Sequence, residues 1–190
     1  MLQNSLKKRQ ENEDFKIEDA KSKDVEAMRT IVKNSWLKLY PNEKYGITIE
    51  DLSAIDWYDP VKLDKRKKEI TENLSDTHTF VLKNKKKEVV GFCIALNLDG
   101  FGEVDGMYVL PELQGKGLGK KLMQKAFEWL GTGQDIILKV VAYNSHAIEF
   151  YKKMGFKETR NKVVFTGTQL PSGIEIPRIE MMKKGVSETA

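Results

Sequence analysis

The chain has 190 residues, 40% of them hydrophobic and 32% charged, enough apolar material for one packed domain and too much for a disordered chain. Its 32 basic and 28 acidic side chains leave a net charge of +4, and residues 60–90, with nine basic and five acidic groups, hold that whole excess. No apolar run approaches the roughly 18 residues of a membrane span, Cys93, His78 and His146 are too few to hold a structural metal, and the basic stretch lacks any nucleic-acid reading element, so these three classes are set aside.

Residues 1–14 are polar and aperiodic and read as a flexible extension ahead of a single domain over 15–185. The extension has no apolar segment of the kind a secretory signal needs, so a cytoplasmic protein is expected. Residues 15–20 alternate like a short strand. Residues 23–39 carry Val25, Met28, Ile31, Val32, Trp36 and Leu39 at helical spacing, and Pro41 stops that helix. A short helix is expected within 42–58, and a second, highly charged one runs from Pro60 to about Leu74. From His78 the period changes to that of strands. Residues 79–83 and 88–96 form a hairpin, Asp99-Gly100 makes a turn, and residues 101–110 form a third strand that Pro111 ends. A helix over 117–130, a strand over 136–142 and a helix over 145–154 follow, then strands over 156–166 and 174–182 around a turn at 170–173.

The segment QGKGLGKK (residues 114–121) joins the third strand to an amphipathic helix with Leu118, Leu122, Ala126, Trp129 and Leu130 on one side. A helix N-terminus offers unpaired N–H groups and a positive dipole end, and glycines let these reach a phosphate. The loop lacks the glycine spacing and the Ser or Thr of a Walker loop, and its G-x-G-x-G run is not the dinucleotide fingerprint. ATP and hydride chemistry are both disfavoured.

Gln114 to Gly119, preceded by MYVLPEL, resembles the Q/R-x-x-G-x-G/A pyrophosphate loop of the GNAT superfamily of N-acetyltransferases, and NSHAIEFYKKMGF (residues 144–156) resembles that family's N-x-x-A-x-x-F-Y-x-x-x-G-F. The resemblance spans about residues 78–165. It implies an α/β (α+β) fold with a mixed, twisted, mostly antiparallel sheet, a splayed central parallel strand pair and flanking helices. It further implies acetyl coenzyme A as co-substrate without a metal, an amine acceptor as the other partner, and compatibility with a homodimer.

On that resemblance, backbone groups of Tyr108 and Val109 would face the pantetheine and thioester. Gln114 and the amides of Gly115, Lys116, Gly117, Leu118, Gly119 and Lys120 would hold the pyrophosphate, with Lys116 or Lys120 adding charge. Lys153 would reach an outer phosphate or simply be a solvated helix lysine. Asn144 and Tyr151 are seven positions apart, nearly two helical turns, so one face carries both toward the cofactor. Tyr151 would protonate the departing thiolate, its alternative being a core position beside Phe150, and Asn144 would also suit the cap of its helix. A protonated amine must lose a proton before it attacks, and Asp105, with Glu103 second, is the base candidate, regular strand alternation placing both on one face. Cys93 reads as a buried apolar residue, so direct transfer in a ternary complex is expected rather than an acetyl-cysteine. Trp36, Tyr40, Tyr45, Trp57 and Tyr58 lie in the early region that builds the acceptor pocket in GNAT proteins; they suit either a cationic amine, a polyamine being favoured over a peptide amine, or packing alone. The competing reading is a catalytically silent acyl-CoA-binding sensory module.

Overall fold

The computed structural model describes residues 14–72, 74–159 and 169–186. Among these, seven strands form one sheet in the order β1-β2-β3-β4-β5-β7-β6. The strands are β1 (Lys16–Asp19), β2 (Thr77–Lys83), β3 (Val89–Leu98), β4 (Phe101–Val109), β5 (Asp135–Val141), β6 (Lys157–Glu158) and β7 (Arg178–Lys183). Every pairing is antiparallel except β4 with β5. This is the mixed, mostly antiparallel sheet with a central parallel pair expected from the sequence.

The helices are α1 (Val25–Leu39), α2 (Ile49–Ser53), α3 (Pro60–Glu72), α4 (Leu118–Leu130) and α5 (Ser145–Lys153). Helix α4 buries Leu118, Leu122, Met123, Ala126 and Leu130, a stripe at three- and four-residue spacing that packs with Cys93, Ala95, Val104, Ile136, Leu138, Tyr151 and Met181 into the largest core cluster. Helix α1 lays Met28 and Ile31 on Val81, Phe92 and Ile94. Each fully buried side chain of this size contributes about 1.5–3 kcal/mol relative to an exposed one. A third cluster gathers Trp36, Tyr40, Ile47, Leu52 and Trp57 around Val141 of β5, together with Leu170 and Ile176.

Two irregularities mark the centre of the sheet. The β4–β5 ladder runs only from Phe101↔Asp135 to Val104↔Leu138, after which the two strands continue to Val109 and Val141 without pairing to each other. The β3–β4 register also slips, Ala95 facing Val104 and Ile94 facing Gly106, so Asp105 is the extra residue of a β-bulge.

Several boundaries differ from expectation. The region 42–58 yields a 3-10 turn at Glu43–Tyr45 and a helix of five residues, its start capped by Thr48, whose Oγ1 accepts the Asp51 N–H at 3.1 Å. The strand expected over 156–166 is ladder-paired only at Lys157–Glu158, while residues 160–166 lie outside those described, as do residues 1–13 of the extension. The last strand begins at Arg178 rather than 174, because the chain first closes a turn in which Leu170 N–H donates to the Ile174 carbonyl at 2.8 Å. No helix among the described residues is long and apolar enough to cross a membrane.

Candidate active site

Where β4 and β5 part, a cleft of about 550 Å3 opens between them. Strand geometry decides which backbone groups face it. Leu110 N–H donates to the Val90 carbonyl at 2.9 Å, so the polar groups of residue 110, and of Tyr108 two positions earlier, point toward β3. Those of Met107 and Val109 then point into the gap. Backbone groups of Tyr108 and Val109 were both expected at the gap; strand alternation turns those of Tyr108 to β3 and leaves Met107 and Val109 to edge the opening. The Val109 carbonyl receives the Gln114 side-chain amide at 3.1 Å, so Gln114 ties the loop back onto the strand.

At one end of the cleft, Gly115 and Gly117 adopt φ of +76° and +80°, a left-handed backbone that costs other residues roughly 1–2 kcal/mol. Nothing lies within 4 Å of where a Cβ on either would stand, so the conformation and not crowding calls for glycine. Both line the cleft with Gly119 and Lys120, and the first turn of α4 presents its free N–H groups behind them. Glycines at left-handed positions, an open cradle and a helix N-terminus together fit a pyrophosphate. Lys116 is exposed outside the cleft lining, and Leu118 is buried in the core with only its backbone toward the loop.

Helix α5 forms a side of the same cleft. Asn144 caps it, its Oδ1 accepting the Ala147 N–H at 3.1 Å, and Asn144, Tyr151 and the exposed Lys153 all line the opening. Tyr151 is 8% exposed and packs edge-on against Phe150 and Phe156 with ring centroids 5.4 and 6.0 Å away. It is thus a core aromatic and a cleft residue at once. Burial, with Cys93 and Tyr108 nearby, pushes the Tyr151 phenol well above its usual range. Burial likewise pushes the Cys93 thiol up to about 12, which leaves no thiolate for nucleophilic work.

The two carboxylates part company. Asp105 is exposed and lines the cleft, whereas Glu103 is absent from the lining and accepts a hydrogen bond from Lys139 of β5 at 3.1 Å. The bulge breaks the alternation on which the shared face depended. Lys139 thereby bridges the last paired rungs of the two strands.

Ser35 and Leu39 of α1, Tyr40 just past its end, Lys139 of β5 and Arg178 of β7 complete the lining. Trp36 Nε1 donates to the Tyr108 hydroxyl at 3.0 Å, and Tyr143 Oη donates to the Tyr40 carbonyl at 2.7 Å. Burial, with the Tyr108 phenol beside it, holds the Tyr40 phenol well above its usual range. Of the aromatics singled out in the early region, only Tyr40 reaches the cleft; Trp36 and Trp57 meet edge to face with centroids 5.3 Å apart. Lys139 and Arg178 carried no sequence signal. Each shares its strand with other charged residues, Asp135 in β5 and Glu180 and Lys183 in β7, and only the strand order brings them here.

The family model described as acetyltransferase (GNAT) matches residues 36–156. A peptidyl-lysine N-acetyltransferase, YjaB of Salmonella typhimurium, is 32% identical over 104 residues, 54% of this chain and 66% of the relative. The chain spans between 48% and 66% of the length of the first curated relatives it matches. Among solved structures, the PaiA N-acetyltransferase of Thermoplasma acidophilum, in complex with coenzyme A, aligns with a TM-score of 0.65 at 25% identity over 90% of this chain and 98% of its own. A spermidine N-acetyltransferase of Vibrio cholerae shares the fold with a TM-score of 0.61 at 17% identity, over 90% of this chain and 94% of its own. With a glycine loop at one end of a strand gap, a capped helix carrying a phenol along its side and a family match across more than half its length, this chain belongs to the acetyltransferase (GNAT) family.

Proposed function

We propose that the protein is an acetyl-CoA-dependent N-acetyltransferase that passes the acetyl group directly to a primary amine, both substrates being bound at once. The parting of β4 from β5 carries this reading: an open gap whose edges are not joined by ladder bonds, with phosphate-binding geometry at one end and a buried phenol alongside. Bound in it, acetyl coenzyme A supplies the acetyl group, a carbon–nitrogen bond forming as the carbon–sulfur bond breaks and the sulfur leaving as a thiolate that takes up a proton.

The chain's own groups cover the remaining needs. Met107 and Val109 offer backbone partners to the amides of a pantetheine arm, and the 115–120 amides with Lys120 hold the pyrophosphate. Lys153, exposed in the cleft lining, is the candidate for an outer phosphate. Tyr151 holds the proton that the sulfur receives, and its raised pKa keeps that proton in place at every working pH. Asp105, exposed where the gap begins, takes the proton the ammonium must lose, directly or through water. The relative's name, peptidyl-lysine N-acetyltransferase, supports an amine acceptor.

Calorimetric titration with acetyl coenzyme A, coenzyme A and ADP, followed by free-thiol release across amines, amino acids and peptides, tests the reading. Pantetheine-dependent binding with thiol release for one amine class is expected. Binding without release from any acceptor would favour the sensory module, and failure of coenzyme A to bind would overturn the assignment of the loop.

A further inference from the structure

One hydroxyl inside α1 has no partner in the protein. The threonines of α1 and α3, Thr30 and Thr71, fold back onto carbonyls four residues earlier, their Oγ1 atoms donating to Glu26 at 2.9 Å and to Lys67 at 2.8 Å. Ser35 of α1 makes no such bond, nor any other hydrogen bond among the described residues, although it is only 3% exposed. It lines the cleft, one turn before Leu39 on the same helix face. A buried hydroxyl left unpaired is costly, so an acceptor that displaces water from Ser35 must offer a hydrogen-bonding group in return.

Tyr40 adds a second hydroxyl-bearing side chain to this part of the lining. Burial holds its phenol well above the usual range, so it stays protonated and uncharged. The charged groups of the lining are mostly taken. Glu149 pairs with Lys152 at 3.7 Å, Lys139 is matched by Glu103 at 3.1 Å, and Arg178 is engaged within the protein. Lys120 and Lys153 belong to the loop and the helix on the cofactor side. Asp105 is the carboxylate in the lining that has no ion pair among the described residues, and residues 160–168 contain no acidic side chain. One ammonium therefore finds one carboxylate. A second ammonium would find none, and a carboxylate set against Ser35 and Tyr40 would be buried without a matching cation.

We propose that Ser35, with Tyr40, forms an uncharged hydrogen-bonding subsite for the acceptor, so that the preferred acceptor is an amine carrying a neutral amide beside its single ammonium, rather than a polyamine or a free amino acid. The proposal rests on acetyl transfer in this cleft and deepens that reading. An amide brings both a donor and an acceptor, and a hydroxyl answers either.

Matched acceptors test this: leucinamide, leucine and 3-methylbutylamine, then tyrosinamide, tyrosine and tyramine, with putrescine as the diamine. Each is assayed by thiol release from acetyl coenzyme A with the whole chain, and kcat/KM is expressed per unprotonated amine, because an amide lowers the basicity of the amine beside it. The amides are expected to lead by about 10-fold or more. Ser35→Ala should cut that lead by about 10-fold, mainly through KM, and Ser35→Thr, which keeps the hydroxyl, should retain part of it. The alanine variant should melt no lower than wild type, since the hydroxyl bonds nothing in the protein and alanine is the better helix former. Turnover of leucine, tyramine or putrescine equal to or above that of the amides would overturn the subsite while leaving acetyl transfer intact. An undiminished lead in Ser35→Ala, or equal slowing of every acceptor with a lower melting point, would overturn the role of Ser35. No thiol release from any acceptor, in protein that binds acetyl coenzyme A, would overturn the transfer reading and this proposal together.

Discussion

One wall of the cleft, the loop around Gly115 and Gly117 with α4 and α5 behind it, comes from two short stretches of chain, whereas the opposite wall draws Tyr40 from the end of α1, Asp105 from β4, Lys139 from β5 and Arg178 from β7. The first wall is built by local rules: left-handed glycines, a helix start, an asparagine cap. The second exists only once the strands have their order and the bulge has turned Asp105 outward. A wall of the first kind suits a constant ligand such as a nucleotide cofactor. The second kind lets acceptor choice change one strand residue at a time without disturbing the cofactor.

That contrast predicts effects that separate by wall. Tyr151→Phe removes the proton donor while keeping the ring packing, so kcat should fall by about 10²–10⁴-fold with coenzyme A affinity nearly unchanged by calorimetry; loss of both would make Tyr151 a scaffold residue. Because its pKa is raised, the phenol stays protonated through its ordinary titration near pH 10, and the kcat profile should show no alkaline fall there. Asp105→Asn should lower kcat/KM by about 10²-fold, with Glu103→Gln costing clearly less, since Glu103 is engaged by Lys139. The reverse order would move the base to Glu103.

Smaller effects sharpen the division. Trp36→Phe takes away the donor to Tyr108 Oη and should raise acceptor KM and lower stability by about 1–3 kcal/mol, measured by thermal melts, without weakening coenzyme A binding. Gly117→Ala forces a side chain into a left-handed backbone at about 1–2 kcal/mol and should weaken coenzyme A roughly tenfold. Gly119→Ala, whose Cβ would rest 3.6 Å from Phe150, should change affinity little. Smallest of all, Cys93 should resist alkylation in the folded protein at pH 8, because burial keeps it a thiol; rapid labelling would mean that the sheet opens.

How far the sequence could be read divides along the same two walls. The order of strands and helices from residue 77 to 153 was legible, since period-2 and period-3.6 patterns alternate there with clear turn residues between them. The glycine loop and the asparagine-to-tyrosine stretch were legible as motifs. The identity of the gap-facing backbone was not, because Met107 and Tyr108 look alike until the Leu110–Val90 bond fixes which edge each presents. Nor was the separation of Glu103 from Asp105, because a bulge depends on the partner strand and leaves no mark of its own in β4. Arg178 lay hidden for a third reason: its place opposite Val141 arises from pairing across more than thirty residues of intervening chain.

The position of β7 between β5 and β6 has a bearing on the protein's synthesis. Among the described residues only β7 pairs with the other edge of β5, so until residues 178–183 have left the ribosome β5 is held along its backbone by its four rungs to β4. Its sequence DIILKVV is the kind of apolar strand that recruits stray partners when its edges are bare. The strand that delivers Arg178 is thus also the one that shields the nascent sheet, so slow translation through this stretch should lengthen the interval of greatest aggregation risk, and the part of the cleft lining that Arg178 supplies is the last to be made.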